Sequence, residues 1–197
     1  MSLEPAERVK VVLLGASNVG KTCLVHRWIS GTFSSNQTST IGSAYFSQIF
    51  EYEGNAYDIN IWDTAGQEQF HSLTPVYCQG SSAGLIVFDI LNRNSFNEIQ
   101  SYIDLIKNVP KATYMIVGNK IDLKEKRAVT YEEASEFAKK RSVTYLEVSA
   151  VTGQHVDDMF TEFCLQAVEN HLKSSKDSSD TINISVTQQK DKKSQCC

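Results

Sequence analysis

A glycine-bounded loop near the N-terminus has the residue types of a phosphate-binding loop. It runs from Gly15 to Thr22, fits G-x-x-x-x-G-K-[ST], and stands between a predicted strand and a predicted helix. Glycines at both ends allow the backbone to curl so that its N–H groups point at phosphate oxygens, and the helix adds its positive dipole end. The Lys21 ammonium would contact the β- and γ-phosphates of a nucleotide. The Thr22 hydroxyl would bind Mg²⁺, which prefers oxygen ligands.

Two other interpretations of this loop are weaker. An ordinary strand-to-helix turn also uses glycines, but it does not require this eight-residue pattern with its Gly-Lys-Thr end in this context. A dinucleotide-binding loop of the form G-x-G-x-x-G is excluded, because it needs a glycine where this chain has Ser17.

A polar tetrapeptide, Asn119 to Asp122, indicates which base would be bound. It follows a strand predicted over Tyr114–Val117. The Asp122 carboxylate can accept two hydrogen bonds from the ring N–H and exocyclic amine of guanine, whereas adenine would leave it unpaired. Such a site can discriminate by about 10⁴-fold. Alone, the tetrapeptide could be a polar helix-capping loop; together with the phosphate loop upstream it favours guanine.

A third segment, Trp62 to Glu68, has residues suited to sensing a γ-phosphate. Asp63, at a predicted strand end, could hold Mg²⁺ through a water, and the Gly66 N–H could reach the phosphate because no side chain blocks it. Gln67 could orient the attacking water for in-line displacement, which makes it the predicted catalytic residue. Alone, Asp-Thr-Ala-Gly is a plausible turn.

The elements that position these segments alternate between strands and helices. Apolar runs predict six strands: Val9–Leu14, Tyr45–Tyr52, Tyr57–Trp62, Leu85–Asp89, Tyr114–Val117 and Tyr145–Val148. Helical spacing predicts four helices: Lys21–Ser30, Ser95–Val109, Tyr131–Lys140 and Val156–Leu172. The alternation predicts an α/β fold, and with the phosphate loop it predicts a P-loop NTPase fold whose six-stranded, mostly parallel sheet is flanked by helices.

Size and composition limit the alternatives. The 197 residues suffice for one well-buried domain, and 41% apolar with 21% charged residues is a globular balance. A net charge of −4 gives no support for nucleic-acid binding. We expect no membrane-spanning segment, no secretory signal and no N-myristoylation. Cys23, Cys78 and Cys164 are predicted to be buried thiols in a reducing compartment.

The composition changes after residue 172. Residues 173–195 contain no aromatic residue and are rich in Ser, Lys, Gln and Asp, so they cannot bury enough apolar surface to offset their ordering entropy. The sequence therefore predicts a folded domain over residues 1–172 and a flexible tail over residues 173–197.

Taken in their order along the chain, the motifs resemble those of the Ras superfamily of small GTPases over roughly residues 8–172. The resemblance implies a switch that binds GTP or GDP with Mg²⁺, hydrolyses GTP slowly and orders two segments around the γ-phosphate. It implies that Thr40 gives Mg²⁺ a second hydroxyl and that Phe33 lies against the guanine. Ser149, Ala150 and Val151 match the family's Ser-Ala-Lys loop, with Val151 departing from the lysine.

The expected sites follow from the motifs and the resemblance. The metal ligands would be Thr22, Thr40 and, through water, Asp63. The nucleotide would contact Ser17, Asn18, Val19, Gly20, Lys21, Thr22, Cys23, Phe33, Thr40, Gly66, Asn119, Lys120, Asp122, Ser149, Ala150 and Val151.

The chain end and three aromatic residues resemble the Rab family in particular. Cys196 and Cys197 resemble its doubly geranylgeranylated terminus, and two lipid chains give stable membrane anchoring. Tyr45, Trp62 and Tyr77 match the family's effector-binding aromatic triad. Segments around Thr40–Tyr45 and Phe70–Tyr77 resemble the early-endosomal branch.

The resemblance implies a setting and partners for the chain. It implies a monomer on the cytoplasmic face of endomembranes that recruits effectors for endosomal trafficking. It also implies an exchange factor, a GTPase-activating protein, a GDP-dissociation inhibitor and the prenylation machinery. Two alternatives are a small-molecule phosphotransferase, which would leave Asp122 unexplained, and a nucleotide-locked scaffold that never cycles.

Overall fold

A computed structural model describes residues 7–34, 39–66 and 72–183, with side chains to residue 176. Its strands are β1 (Glu7–Leu14), β2 (Ser43–Tyr52), β3 (Asn55–Thr64), β4 (Ala83–Asp89), β5 (Thr113–Asn119) and β6 (Tyr145–Val148). Its helices are α1 (Lys21–Ser30), α2 (Thr74–Cys78), α3 (Arg93–Asn97), α4 (Ile99–Lys107), α5 (Tyr131–Lys139) and α6 (Val156–Asn183), with a 3₁₀ helix at Ile121–Lys126.

The strands form one sheet in the order β2-β3-β1-β4-β5-β6. Only the β2–β3 pair is antiparallel, and its turn contains Glu53 and Gly54, both at positive φ. Every residue of β4 is buried, as expected of a parallel strand covered by helices on both faces. The predicted α/β class, with a six-stranded, mostly parallel sheet, is confirmed.

Two apolar layers cover the sheet, and the alternation of β1 shows how one strand serves both. Val9, Val11 and Leu13 point into the layer that contains α1 and α6. Val12 and Leu14 point into the layer that contains α4 and α5. Successive side chains of a strand face opposite sides, so the continuous apolar run of β1 fills two cores and fixes the strand in the middle of the fold.

All six predicted strands are present, most with bounds that differ by one or two residues at an end, and two predicted helices differ more. The bounds of α1 and β6 are those predicted, and Gly31 ends α1 with φ 67. The helix predicted over Ser95–Val109 is instead divided into α3 and α4 at Glu98, whose φ of −75 and ψ of −12 remain helical. The Asn92 side chain accepts hydrogen bonds from the first turn of α3, which explains its early start.

The last helix is longer than its apolar pattern predicts. Periodicity ends near Leu172, whereas α6 continues to Asn183. The Ser175 hydroxyl donates to the His171 carbonyl at 3.0 Å, and Lys173 pairs with Glu169 at 3.8 Å, so local contacts accompany the polar extension. Neither α6 nor any other helix within the described ranges is long and apolar enough to cross a membrane.

The three internal cysteines are free thiols, but they are not all buried. Cys78 and Cys164 are buried, as predicted. The prediction is wrong for Cys23, which is half-buried because it lies in α1 beside the cavity described next.

Candidate nucleotide-binding site

A cavity of about 280 Å³ lies where the carboxyl ends of the central strands meet the loops that follow them. In open α/β sheets this edge is where ligands bind. Fourteen of the sixteen predicted nucleotide-binding residues line the cavity: Ser17, Asn18, Gly20, Lys21, Thr22, Cys23, Phe33, Thr40, Gly66, Asn119, Lys120, Asp122, Ala150 and Val151.

The remaining two predicted residues do not line this cavity. The Val19 side chain is buried in the core, 1% exposed, and its carbonyl accepts a hydrogen bond from the Asn119 amide. Ser149 is fully buried, and its hydroxyl donates to Asp122 Oδ1 at 2.6 Å. Both residues therefore support residues that line the cavity.

Sequence reasoning missed several residues at this site. Ser34, Ser39, Thr64 and Leu123 also line the cavity, and each is within one residue of a predicted segment or contact. Asp89 was missed as well, although it ends a predicted strand at the same edge of the sheet. Its Oδ2 lies 2.7 Å from Lys120 Nζ, and this ion pair holds the lysine stem in place.

The glycines of the phosphate loop are required by close contacts. A Cβ on Gly15, at φ 138, would lie 2.1 Å from the Val87 carbonyl oxygen. A Cβ on Gly20, at φ 98, would lie 2.4 Å from the Asn119 amide nitrogen. Any side chain at either position would displace the loop from the sheet or from the base-side segment.

The Lys21 ammonium lies against this loop. Its Nζ donates to the carbonyl oxygens of Gly15 at 2.7 Å and Ala16 at 2.9 Å. Burial lowers the pKa of Lys21 to about 8, and the nearby Asp63 carboxylate opposes this shift. The negative charge of a bound phosphate would stabilise the protonated form of this buried lysine and raise its pKa.

Oxygen atoms suited to a hard cation converge beside the loop. Thr22 Oγ1 donates to Asp63 Oδ2 at 2.5 Å and lies 2.8 Å from Thr40 Oγ1. Asp63 Oδ1 is buried and has no hydrogen-bond partner among the described residues. Burial raises the pKa of Asp63, and the hydrogen bond from Thr22 opposes that shift. Two hydroxyls and a buried carboxylate with an unused oxygen fit Mg²⁺.

Gly66 lies directly against the phosphate loop. A Cβ on Gly66 would be 2.3 Å from the Ala16 carbonyl carbon and 2.4 Å from Ser17 N. Only glycine permits this approach, so the segment after β3 reaches the place where a terminal phosphate would lie.

Asn119 ties the phosphate side of the cavity to the base side. Its Nδ2 donates to the Val19 carbonyl at 2.8 Å. Its Oδ1 accepts from the backbone N–H groups of Lys120 at 2.8 Å and Ala150 at 3.1 Å. Lys120 Nζ also donates to the Asn18 carbonyl at 2.9 Å. The buried amide thus connects three loops that contact the cavity.

The base-side loop is held from α1 as well. Arg27 Nε donates to the Ala150 carbonyl at 2.9 Å, and another guanidinium nitrogen of Arg27 donates to the Val151 carbonyl. Val151, which stands where the resembling family has lysine, is 45% exposed at the cavity rim. Arg27 therefore holds this loop through its backbone carbonyls and not through the Val151 side chain.

The predicted aromatic triad forms a continuous surface next to the site. The Tyr45 ring meets Trp62 edge-on at 5.9 Å, and Tyr77 stacks on Trp62 at 5.9 Å. Lys10 Nζ lies 4.9 Å from the Trp62 ring centre, and Tyr45 is 54% exposed. The three rings are therefore brought together.

Three of the predicted functional residues lie outside the described part of the chain: Gln67, Cys196 and Cys197. The rest of the arrangement defines a class. A phosphate loop on a buried strand, an oxygen-lined cation position and a carboxylate facing the base side belong to a P-loop nucleotide-binding protein of the GTPase type.

Comparison with known proteins agrees with this class. The chain belongs to the Ras family, whose sequence model matches residues 10–169. It is 36% identical to a Ras-related protein Rab-4 of Dictyostelium discoideum over 93% of this chain and 90% of that protein. It is 34% identical to a Ras-related protein Rab5A of Oryza sativa subsp. japonica over the full length of both. The similarity supports a Rab GTPase of the early-endosomal type.

Membership of this family gives the activity. The chain is a GTP-binding switch that hydrolyses GTP to GDP and acts in vesicle trafficking. The comparisons give no support to the non-cycling scaffold or to the phosphotransferase.

Proposed function

We propose that the described cavity is where the switch binds its nucleotide, with the phosphates at Lys21 and the guanine at Asp122. The observation that carries this proposal is that both ends of the cavity are structurally joined. Asn119 connects the phosphate loop to the Ala150 loop through two hydrogen bonds, 2.8 Å to the Val19 carbonyl and 3.1 Å from the Ala150 N–H. Joined in this way, one cavity can recognise the phosphate chain and the base together.

On the phosphate side, Lys21 supplies positive charge and the loop supplies backbone N–H donors. Thr22 and Thr40 would hold Mg²⁺ through their hydroxyls, with Asp63 acting through water. The unpartnered Asp63 Oδ1 supports this assignment, because a buried carboxylate oxygen without a partner is costly unless a cation or donor satisfies it. When bound, Mg²⁺ would offset the charge of the β- and γ-phosphates.

On the base side, Asp122 accepts from the guanine N–H groups. Its Oδ1 already accepts from the Ser149 hydroxyl at 2.6 Å, which orients the carboxylate. The Lys120 stem, held by the Asp89 ion pair at 2.7 Å, would lie on one face of the base with Phe33 nearby. Phe33 is 37% exposed, so a base stacked on it would cover an exposed ring.

The switch itself would be the ordering of the segments that contain Thr40 and Gly66. The Thr40 hydroxyl, 2.8 Å from Thr22, can respond to the metal, and the Gly66 backbone can respond to the γ-phosphate. Both contacts are lost when that phosphate leaves, so both segments relax together. Gln67 would orient the attacking water.

The Tyr45, Trp62 and Tyr77 surface would bind effectors in the GTP form. It lies on β2, β3 and α2, which flank the two switch segments. An exposed Tyr45 ring packed on the half-buried rings of Trp62 and Tyr77 has the character of a protein-binding hot spot. An exchange factor, a GTPase-activating protein and a GDP-dissociation inhibitor would act on the same switch segments.

The membrane role is proposed from the chain end. Residues 1–172 would form the GTPase domain and residues 173–197 a tail whose Cys196 and Cys197 are prenylated. The similarity to Rab4 and Rab5 proteins supports endosomal membranes as the destination, with early endosomes the specific proposal. The chain would work as a monomer between the cytoplasm and the cytoplasmic face of these membranes.

Two experiments test the proposal. Purified full chain should bind GTP and GDP at least about 10⁴-fold more tightly than ATP; equal binding of ATP would overturn the base-side assignment. In cells, the tagged chain should lie on endosomal membranes, and a Cys196→Ser, Cys197→Ser variant should become diffuse. Retained membrane binding by that variant would overturn the lipid anchor while leaving nucleotide recognition unaffected.

A further inference from the structure

A second cavity, of about 390 Å³, lies at the end of the fold opposite the nucleotide site. Ser81 and Ser82 line it just before β4, Lys111 just before β5, and Ser174 and Ser175 from the far end of α6. A ligand here would not compete with the nucleotide, because the amino ends of parallel strands face away from their carboxyl ends. Its volume falls within the roughly 300–1,000 Å³ of ligand pockets.

The lining of this cavity suits an anion. Its described lining contains no Asp or Glu, whereas two further cavities outside the nucleotide site include carboxylates, Glu169 in one and Asp158 in the other. Several serine hydroxyls and the Lys111 ammonium supply donors instead. Hydroxyls and an ammonium around a concave surface match the acceptor oxygens of a phosphate group.

One of these hydroxyls has an unmet bonding requirement. Ser81 is 4% exposed, and its Oγ has no hydrogen-bond partner among the described residues. Buried polar atoms without partners are uncommon and call for an explanation such as a ligand. Ser81 lines the cavity, so a rotation of its side chain would bring this hydroxyl to a ligand oxygen placed there.

Groups that would repel an anion are already occupied. Asn170 Nδ2 donates to the carbonyl oxygens of Ser82 at 2.8 Å and Lys111 at 2.5 Å. The Glu7 carboxylate lies 2.8 Å from His171 Nε2, while His171 Nδ1 lies 3.4 Å from Ser82 Oγ. These two carbonyl oxygens and this carboxylate are thus paired.

The position of the cavity indicates which phosphate it would meet. The helix that lines it, α6, leads into the tail that ends at Cys196 and Cys197. The exposed residues Lys107, Lys173 and Lys176 lie on neighbouring helix segments, with Lys173 paired to Glu169 at 3.8 Å. Lysines next to a membrane tether are attracted to anionic lipid.

We propose that this cavity binds the phosphomonoester of a phosphoinositide headgroup, with Lys111 as the cation and the Ser81 hydroxyl as a donor. The inference rests on the proposed lipid tether, which brings this end of the fold to the membrane. Headgroup binding would orient the domain so that the nucleotide site and the aromatic surface face away from the bilayer.

The test uses unprenylated full chain and vesicles of phosphatidylcholine alone, with a phosphatidylinositol monophosphate, or with phosphatidylserine at equal surface charge. Binding should be strongest to the phosphoinositide vesicles. Lys111→Gln and Ser81→Ala should each weaken it about tenfold. Lys139→Gln, an exposed lysine at the same end, and Ser101→Ala, whose hydroxyl bonds within α4, should leave it unchanged.

Three results would overturn the proposal. Equal loss in Lys111→Gln and Lys139→Gln, or equal binding to phosphatidylserine, would mean diffuse attraction without a site. Saturation by inorganic phosphate as tightly as by the lipid would exclude the lipid as the specific ligand. GTP binding by each variant shows that it is folded. Because the chain is unprenylated, these results are independent of the test of Cys196 and Cys197.

Discussion

The Asn119 side-chain amide donates to the Val19 carbonyl oxygen at 2.8 Å, joining positions 100 residues apart. This contact makes the phosphate loop and the base-side loop one unit. A Cβ on Gly20 would fall 2.4 Å from the same amide nitrogen, so the two segments cannot approach as closely with any larger residue. We therefore expect nucleotide affinity to depend on Asn119, whose side chain also holds these two loops together.

Replacing this amide should weaken nucleotide binding and folding together. In Asn119→Ala the Val19 carbonyl and the Lys120 and Ala150 N–H groups lose their partner. The free energy of unfolding should fall by about 1–3 kcal/mol, and GDP affinity by tenfold or more. Thermal unfolding and GDP titration measure the two effects. Asn97→Ala, at an exposed position, is the control; unchanged GDP affinity in Asn119→Ala would contradict the linking role.

GTP affinity should fall as pH rises above about 8. The Lys21 ammonium has its pKa lowered to about 8 by burial, and bound phosphates would raise it again. Binding therefore takes up a proton above pH 8 and should weaken by up to about tenfold per pH unit, with little change below pH 7.5. Competition by guanosine, which lacks phosphates, corrects for ionisation of the base. A flat ratio of GTP to guanosine affinity from pH 7 to 9.5 would exclude this role for Lys21.

Folding stability without nucleotide should show the opposite trend. The pKa of Lys21 is lower in the folded chain than its ordinary value of 10.5, so the unfolded chain binds more protons between pH 8 and 10.5. The Lys21 contribution to stability therefore rises with pH across this window. Denaturant unfolding of the wild type and of Lys21→Met, at pH 8 and pH 10, isolates this contribution. The free energy of unfolding of the wild type should rise relative to that of Lys21→Met between the two pH values.

The hydroxyl of Thr22 should account for the dependence of nucleotide release on Mg²⁺. Thr22→Ala removes the atom that lies 2.8 Å from Thr40 Oγ1 and 2.5 Å from Asp63 Oδ2. GDP release from this variant in millimolar Mg²⁺ should be as fast as wild-type release in a chelator. Thr22→Ser keeps the hydroxyl and should restore slow release. A chelator effect of wild-type size in Thr22→Ala would remove Thr22 from the metal site.

Much of this arrangement could be predicted because the signals are local. Gly20 and Gly31 bound α1 in the sequence as they do in the structure, and the motif residues follow strands whose ends meet at one edge of the sheet. Two pieces of the site could not be predicted. Arg27 bonds the carbonyls of the Ala150 loop, and Asp89 pairs with Lys120; these contacts join distant positions and leave no pattern in the sequence.

Gln67→Leu should lower hydrolysis while sparing nucleotide binding. Leucine cannot orient a water molecule, so the intrinsic rate, about 10⁻⁴ to 10⁻³ s⁻¹ in the wild type, should fall by roughly tenfold, and stimulation by an activating protein of up to about 10⁵-fold should be lost. Phosphate release with and without an activator extract measures both. Gln79→Leu, at an exposed position after α2, is the matched control. Wild-type stimulated turnover in Gln67→Leu would assign the water to another residue.

The exposed half of the aromatic surface should be needed for partners and not for nucleotide. Tyr45 is 54% exposed and meets Trp62 edge-on at 5.9 Å, so Tyr45→Ala removes contact area from the surface with little cost to the core. If Tyr45 is a hot spot, its loss should weaken binding of GTP-form partners by about 2 kcal/mol, roughly thirtyfold, with GDP affinity unchanged. Tyr131→Ala, 51% exposed and on α5, is the control.

The measurement is quantitative capture of proteins that bind the GTP-analogue form but not the GDP form. It compares the wild type, Tyr45→Ala and Tyr131→Ala. Recovery of the same partners by Tyr45→Ala and wild type would show that effectors bind elsewhere.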